Sequence, residues 1–210
     1  VQTCALPIST GTKMLEYMQD KASIEDVVKQ LEDDQESVVN NKPEVITTTT
    51  EVISQENCAK LVGRCFAEAT GSDLALVSLG TWISGNGLNQ NNDCVSMKMY
   101  AGDITVDDLS AMIPTGWTRT IQTVSLTGKQ IKDLHKEGYD AVGTGNNYPY
   151  VLVSPVELED EKTYQVAISG ISEKLASETE VTDSGIVGLD AAKEFFGQLK
   201  TLSEADAEWK

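Results

Sequence analysis

Residues 74–79 read LALVSL, a nearly continuous apolar run. A strand with one wet face alternates apolar and polar residues, so a run without alternation needs cover on both sides. Helical cover is available close by. Residues 57–69 place Cys58, Leu61, Val62, Cys65 and Phe66 on one helical stripe, and Gly71 follows as a stop signal. A buried strand directly after an amphipathic helix implies a layered domain in which helices pack on a sheet.

The rest of the chain supplies further elements of both kinds. Strands are expected over residues 95–100, 119–126, 148–153 and 163–169, and loops over 84–93 and 138–147. Thr105 with Asp108, and Thr127 with Gln130, have capping-box spacing, so a helix should follow each threonine. Pro114 and Gly116 close the first of these helices, and residues 189–199 form a last one. Helices and strands alternate without a strict βαβ rhythm. The expected fold class is therefore α+β, a layered mixed α/β domain.

Upstream, Ser23 and Asp26 open an amphipathic helix whose stripe is Ile24, Val27, Val28, Leu31 and Val38, and residues 45–53 read as extended. The expected organisation assigns 9–53 to the tail of an upstream domain and a linker helix. It assigns 54–200 to the compact domain and 201–210 to an acidic tail. Residues 1–8 (VQTCALPI) look like a translated sequencing adapter, and the chain opens on Val rather than Met. They are set aside, and native sequence is expected upstream.

Charge narrows the partners. Only 16 Lys and Arg face 33 Asp and Glu, a net charge of −17. Nucleic-acid binding is driven by cations that release counterions, so neither nucleic acid nor an anionic membrane is an expected partner. No apolar run approaches the roughly 18 residues of a membrane span. Cys58 and Cys65 stand about 10 Å apart along a helix axis, too far for a disulfide. They and Cys94 read as small buried hydrophobes.

Four stretches in order resemble the 5′-nucleotidase C-terminal domain family: ENCAKLVGRCFAEATGSDLALVSLG at 56–80, AGDITVDDLSAMIPTGW at 101–117, IQTVSLTGKQIKDL at 121–134 and ELEDEKTYQVAISG at 157–170. The second and third are the specific ones. The resemblance implies a division of labour. An upstream metallophosphoesterase domain, the expected partner, holds two divalent metal ions that activate water and clamp phosphate. This domain grips a nucleotide or nucleoside and needs no cofactor of its own. The family also implies an extracellular, periplasmic or cell-surface setting.

The family's gripping residues are largely replaced. Its Asn-Gly-Gly-Gly-Ile-Arg run aligns with residues 78–83, where Ile83 stands for Arg. Its Pro-Phe-Gly-Asn aligns with Pro114, Thr115, Gly116 and Trp117. Its second stacking Phe falls near Ile171. The substrate-binding candidates that remain are Trp117, Arg119, Trp82, Thr115, Tyr148 and Tyr150. Aromatics beside one Arg suit a base or sugar carrying negative charge. The alternative is a non-catalytic binding or interaction module of a cell-surface protein with an altered pocket, in which Trp117 and Tyr150 serve packing. A metal centre needs several converging ligands, and the chain has one histidine, His135, expected to be structural. With no GxSxG elbow either, no catalytic residue is expected here.

Overall fold

The computed structural model describes residues 26, 28–33, 43–83, 87–89, 94–113, 119–140, 150–169 and 177–209. The chain divides into two units, Val1–Pro43 and Glu44–Lys210. In the first, the described residues 28–33 are helical, with Val28 and Leu31 of the expected stripe both exposed.

The second unit is built on a five-stranded mixed sheet. Its strands are β2 (Leu74–Ser78), β6 (Thr120–Thr127), β7 (Tyr150–Val153), β8 (Thr163–Ser169) and β9 (Val181–Val187), in the order β7-β2-β8-β6-β9. Only β2 and β8 run parallel; the other neighbours are antiparallel. All five residues of β2 are buried, as its unbroken apolar run requires.

Three helices supply the two outer layers. Helix α1 (Gln55–Thr70) and α4 (Gly188–Gly197) share one apolar cluster with Ala75, Val77, Val151, Val153 and Ala167 of the sheet. On the opposite face, Leu74, Leu76, Val124, Leu126, Val166 and Ile168 pack with Ile131 of α3 (Gly128–Asp140). The alternation of partners along each strand is the period-2 geometry of a pleated sheet. The short helix α2 (Val106–Met112) contributes Leu109 and Met112 to the first cluster.

The caps form where the spacing predicts. Thr105 and Asp108 exchange side chain-to-backbone bonds in a capping box. Thr127 N–H donates to Gln130 Oε1 at 2.8 Å, and Gln130 N–H returns to Thr127 Oγ1 at 3.2 Å. Gly71 ends α1 in the left-handed region at φ 66°, where a side chain would be strained. Cys58, Cys65 and Cys94 are free and buried. Burial pushes the Cys58 thiol up to about 11 and raises Cys65 as well, so both stay neutral and unreactive.

Several expectations are corrected. Residues 95–100 do not form a strand. Val95 bridges Leu79 in parallel while Met99 bridges Ile53 antiparallel, so the segment changes partner before a ladder can build. Part of the expected loop 84–93 is a strand: β3 (Thr81–Ile83) pairs with β4 (Gly87–Asn89). The expected loop 138–147 begins later, because α3 runs on to Asp140.

The compact unit also reaches further at both ends than 54–200. At its start, β1 (Val45–Thr49) pairs with β5 (Gly102–Thr105). At its end, residues 201–209 are no solvated tail. Leu202 is fully buried, its N–H donates to Thr48 O at 2.7 Å, and a 3₁₀ helix (Glu204–Ala207) follows. Glu204 Oε1 accepts the Ser54 N–H at 2.8 Å, so the chain's last turn caps the start of α1. Strand β9 was not expected. Its Asp183-Ser184-Gly185 turn, with Gly185 at φ 72°, breaks the alternation that would have announced it.

Candidate functional site

The register of the sheet decides which chain segments can meet. Val77 lies opposite Ser169, Ser78 opposite Tyr150, Gln122 opposite Ile168 and Thr120 opposite Val187. The ends of β2, β8 and β9 and the starts of β6 and β7 therefore share one end of the sheet. Four segments join the sheet there: residues 79–93 after β2, 114–118 before β6, 141–149 before β7 and 170–176 after β8.

The strand termini nearest in sequence to the six candidates belong to this end. Trp82, Thr115, Trp117, Arg119, Tyr148 and Tyr150 each lie within five residues of one of these strand termini. Five residues of chain span at most about 18 Å. Thr115, Trp117 and Tyr148 themselves lie outside the described residues, as does the Trp82 side chain, although Trp82 is within β3. Arg119 is exposed just ahead of β6, and its carbonyl accepts the Gly188 N–H at 3.1 Å. Tyr150 is 8 % exposed and packs in the cluster against α3.

Side chains hold the strand termini at this end. Ser78 N–H donates to Ser169 Oγ at 3.0 Å, and Ser78 Oγ–H donates to the Ser169 carbonyl at 2.5 Å. Both serines are 2 % exposed. Gln55 Nε2 donates to the carbonyls of Gly80 and Val95, at 2.7 and 2.9 Å, holding the first residues beyond β2. His135 Nδ1 lies 2.6 Å from the Tyr150 carbonyl. Ser78, Ser169 and Gln55 escaped the sequence reading in this role, whereas His135 was expected to be structural. The available signal was a serine closing each of two apolar strands, LALVS and TYQVAIS.

Charge at this end is mixed. The Asp183 carboxyl is held below its usual range, first by the Thr120 hydroxyl and then by the Gly185 N–H. Elsewhere, a shallow groove beside α3 is lined by Gln130, Asp133, Glu137 and Glu178, an acidic surface that repels phosphate. Among the described residues no three His, Cys, Asp or Glu side chains gather as a metal ion would require.

A mixed sheet layered between helices, with its long connections gathered at one end, defines an α/β domain that can carry a ligand site outside its strand termini. A family model described as 5′-nucleotidase, C-terminal domain, matches residues 35–152, more than half of the 210-residue chain. The chain belongs to the 5′-nucleotidase C-terminal domain family.

Solved structures agree on the fold. The crystal structure of a 5′-nucleotidase precursor from Thermus thermophilus is 16 % identical with a TM-score of 0.56, and the match covers 83 % of this chain and 40 % of that one. The Haemophilus influenzae NAD nucleotidase is 10 % identical with a TM-score of 0.53, covering 84 % and 39 %. The chain thus spans about two fifths of the length of these relatives. No curated protein matches it.

Proposed function

We propose that this chain is the substrate-recognition part of a metal-dependent 5′-nucleotidase-type phosphoesterase, acting in nucleotide catabolism outside the cytoplasm. The observation that supports the proposal is that, in a member of this family, the register brings the strand termini flanking the six candidates to one end of the sheet. Arg119 supplies positive charge for an anionic ligand, Trp82, Trp117 and Tyr148 supply stacking faces, and Thr115 supplies a hydroxyl. Tyr150, being buried, supports the site from below.

The hydrolytic step belongs to an N-terminal metallophosphoesterase domain carrying two divalent ions. The residues of this chain do not fit such a centre, because one histidine cannot supply its ligands. The chain alone should therefore hydrolyse no nucleotide with or without Mn²⁺ or Zn²⁺. Measured hydrolysis would overturn the division of labour.

Thermal shift of the 210-residue chain against nucleosides and nucleotides tests recognition. A ligand present at 100 times its Kd adds about 2.7 kcal/mol of stability. A flat response across the panel removes the substrate-recognition reading. It would favour a second one, an interaction module of a cell-surface protein, which the replacement of the family's Arg by Ile83 supports.

A further inference from the structure

The chain has one histidine. His135 lies on α3, and its Nδ1 is 2.6 Å from the carbonyl oxygen of Tyr150, the first residue of β7. A carbonyl only accepts, so Nδ1 must carry a proton and donate it. The fold therefore selects the tautomer of this ring when it is neutral.

The bond also spans a connection. Helix α3 ends at Asp140 and β7 begins at Tyr150, so His135 ties the helix before residues 141–149 to the strand after them. Among the described residues, strand β7 is at the edge of the sheet, with β2 as its one strand neighbour. Tyr150 faces Ser78 in the register, and beyond Ser78 the chain leads to Trp82.

We infer that His135 is a positioning residue: it fixes the backbone at the head of β7, where the segment carrying Tyr148 joins the sheet. The consequence for ligand affinity rests on the substrate-recognition reading above. The consequence for the backbone does not.

The side-chain nitrogen of Asn stands where Nδ1 does, and that of Gln stands nearer the place of Nε2. His135→Asn should keep the bond and His135→Gln should lose it. In ¹⁵N NMR of the wild-type chain the single imidazole, when neutral, should show its proton on Nδ1. The β7 amides that donate to β2 should exchange about tenfold faster in His135→Gln than in wild type, as expected when a local anchor is lost. They should return to near the wild-type rate in His135→Asn.

With adenosine and adenosine monophosphate as probes, affinity should fall about fivefold in His135→Gln and recover in His135→Asn, the effect of one lost hydrogen bond. A neutral ring protonated on Nε2, or equal exchange in the two variants, overturns the inference. If wild type binds neither probe, the recognition reading falls, while the tautomer and the exchange rates still decide the role of His135. If His135→Gln does not fold, the wild-type tautomer decides it alone.

Discussion

The two ends of the central sheet mix backbone and side-chain bonds differently. At the end where β6 turns into α3, backbone bonds close the turn itself, with side-chain bonds such as Gln165 N–H to Asp73 Oδ2 at 2.8 Å beside it. Gly128 N–H donates to Lys162 O at 2.9 Å and Lys129 N–H to Asp160 O at 3.0 Å. A Cβ on Gly128 would stand 2.2 Å from the Glu159 carbonyl oxygen, so glycine is required there by close approach. At the opposite end, Ser78, Ser169, Gln55 and His135 use side chains to hold the strand termini.

The Leu-Thr-Gly turn that makes the family legible thus lies at the end away from the ligand candidates. A backbone-to-backbone turn tolerates few sequences, because its geometry fixes which residues fit. Side-chain anchors hold a strand terminus while leaving the connecting segment free to change. Departures such as Ile83 and Thr115 can therefore accumulate at one end without disturbing the turn at the other.

Substitutions at the two ends should separate these roles. The largest effect is expected for Gly128→Ala. The new methyl meets backbone rather than a yielding side chain, and overpacking of this kind costs about 3 kcal/mol. The urea midpoint should fall with an unchanged m-value. A wild-type midpoint would mean that the turn is not the rigid end.

Next comes Ser78→Ala, which leaves the buried Ser169 carbonyl without its donor at a cost of about 2 kcal/mol. Ser169→Ala removes a different bond, the one donated by the Ser78 N–H, so the double variant should cost about as much as the two single changes together. Either single change without cost in chemical denaturation would break the picture of a clasp.

A smaller, pH-dependent effect is expected at Glu204. Hydrogen bonds from the Ser54 N–H, then from the Asn57 side chain, hold its carboxyl below the usual 4.5. A folded-state pKa below the unfolded one contributes stability that is present above the unfolded value. That stability is lost as pH falls through the folded value. The gap between urea midpoints at neutral and acid pH should narrow in Glu204→Gln; an unchanged gap would remove Glu204 from the acid response.

The smallest effect is expected for Lys129→Ala, whose partner Asp133 is one turn along an exposed helix face. Its Nζ contact at 2.6 Å raises the Lys129 pKa, first through the hydrogen bond to Asp133, but solvent screens such pairs. No change in midpoint beyond error should be resolved, even though Lys129 sits at the rigid end.

Much of the fold was legible because its signals are local. The run LALVSL needed only its own residues to declare a buried strand, and the Thr105 and Thr127 caps needed only spacing of three. The site was legible in part. Motif positions, their neighbours and a Gly/Asn loop nominated six candidates, but nothing local distinguished buried Tyr150 from an exposed ligand contact. The serine clasp joins residues 91 positions apart, beyond the reach of any periodicity.

By itself, the sequence determined the layered α/β class and the helix caps. Tertiary structure decided which strands are neighbours, why residues 95–100 change partner instead of forming a strand, and how the acidic segment at Glu204 comes to cap α1. It also decided which nitrogen of His135 holds a proton. The division has one physical cause. Periodicity and capping act over a few residues, whereas pairing, burial and side-chain anchoring depend on groups that only the folded chain brings within a few ångströms.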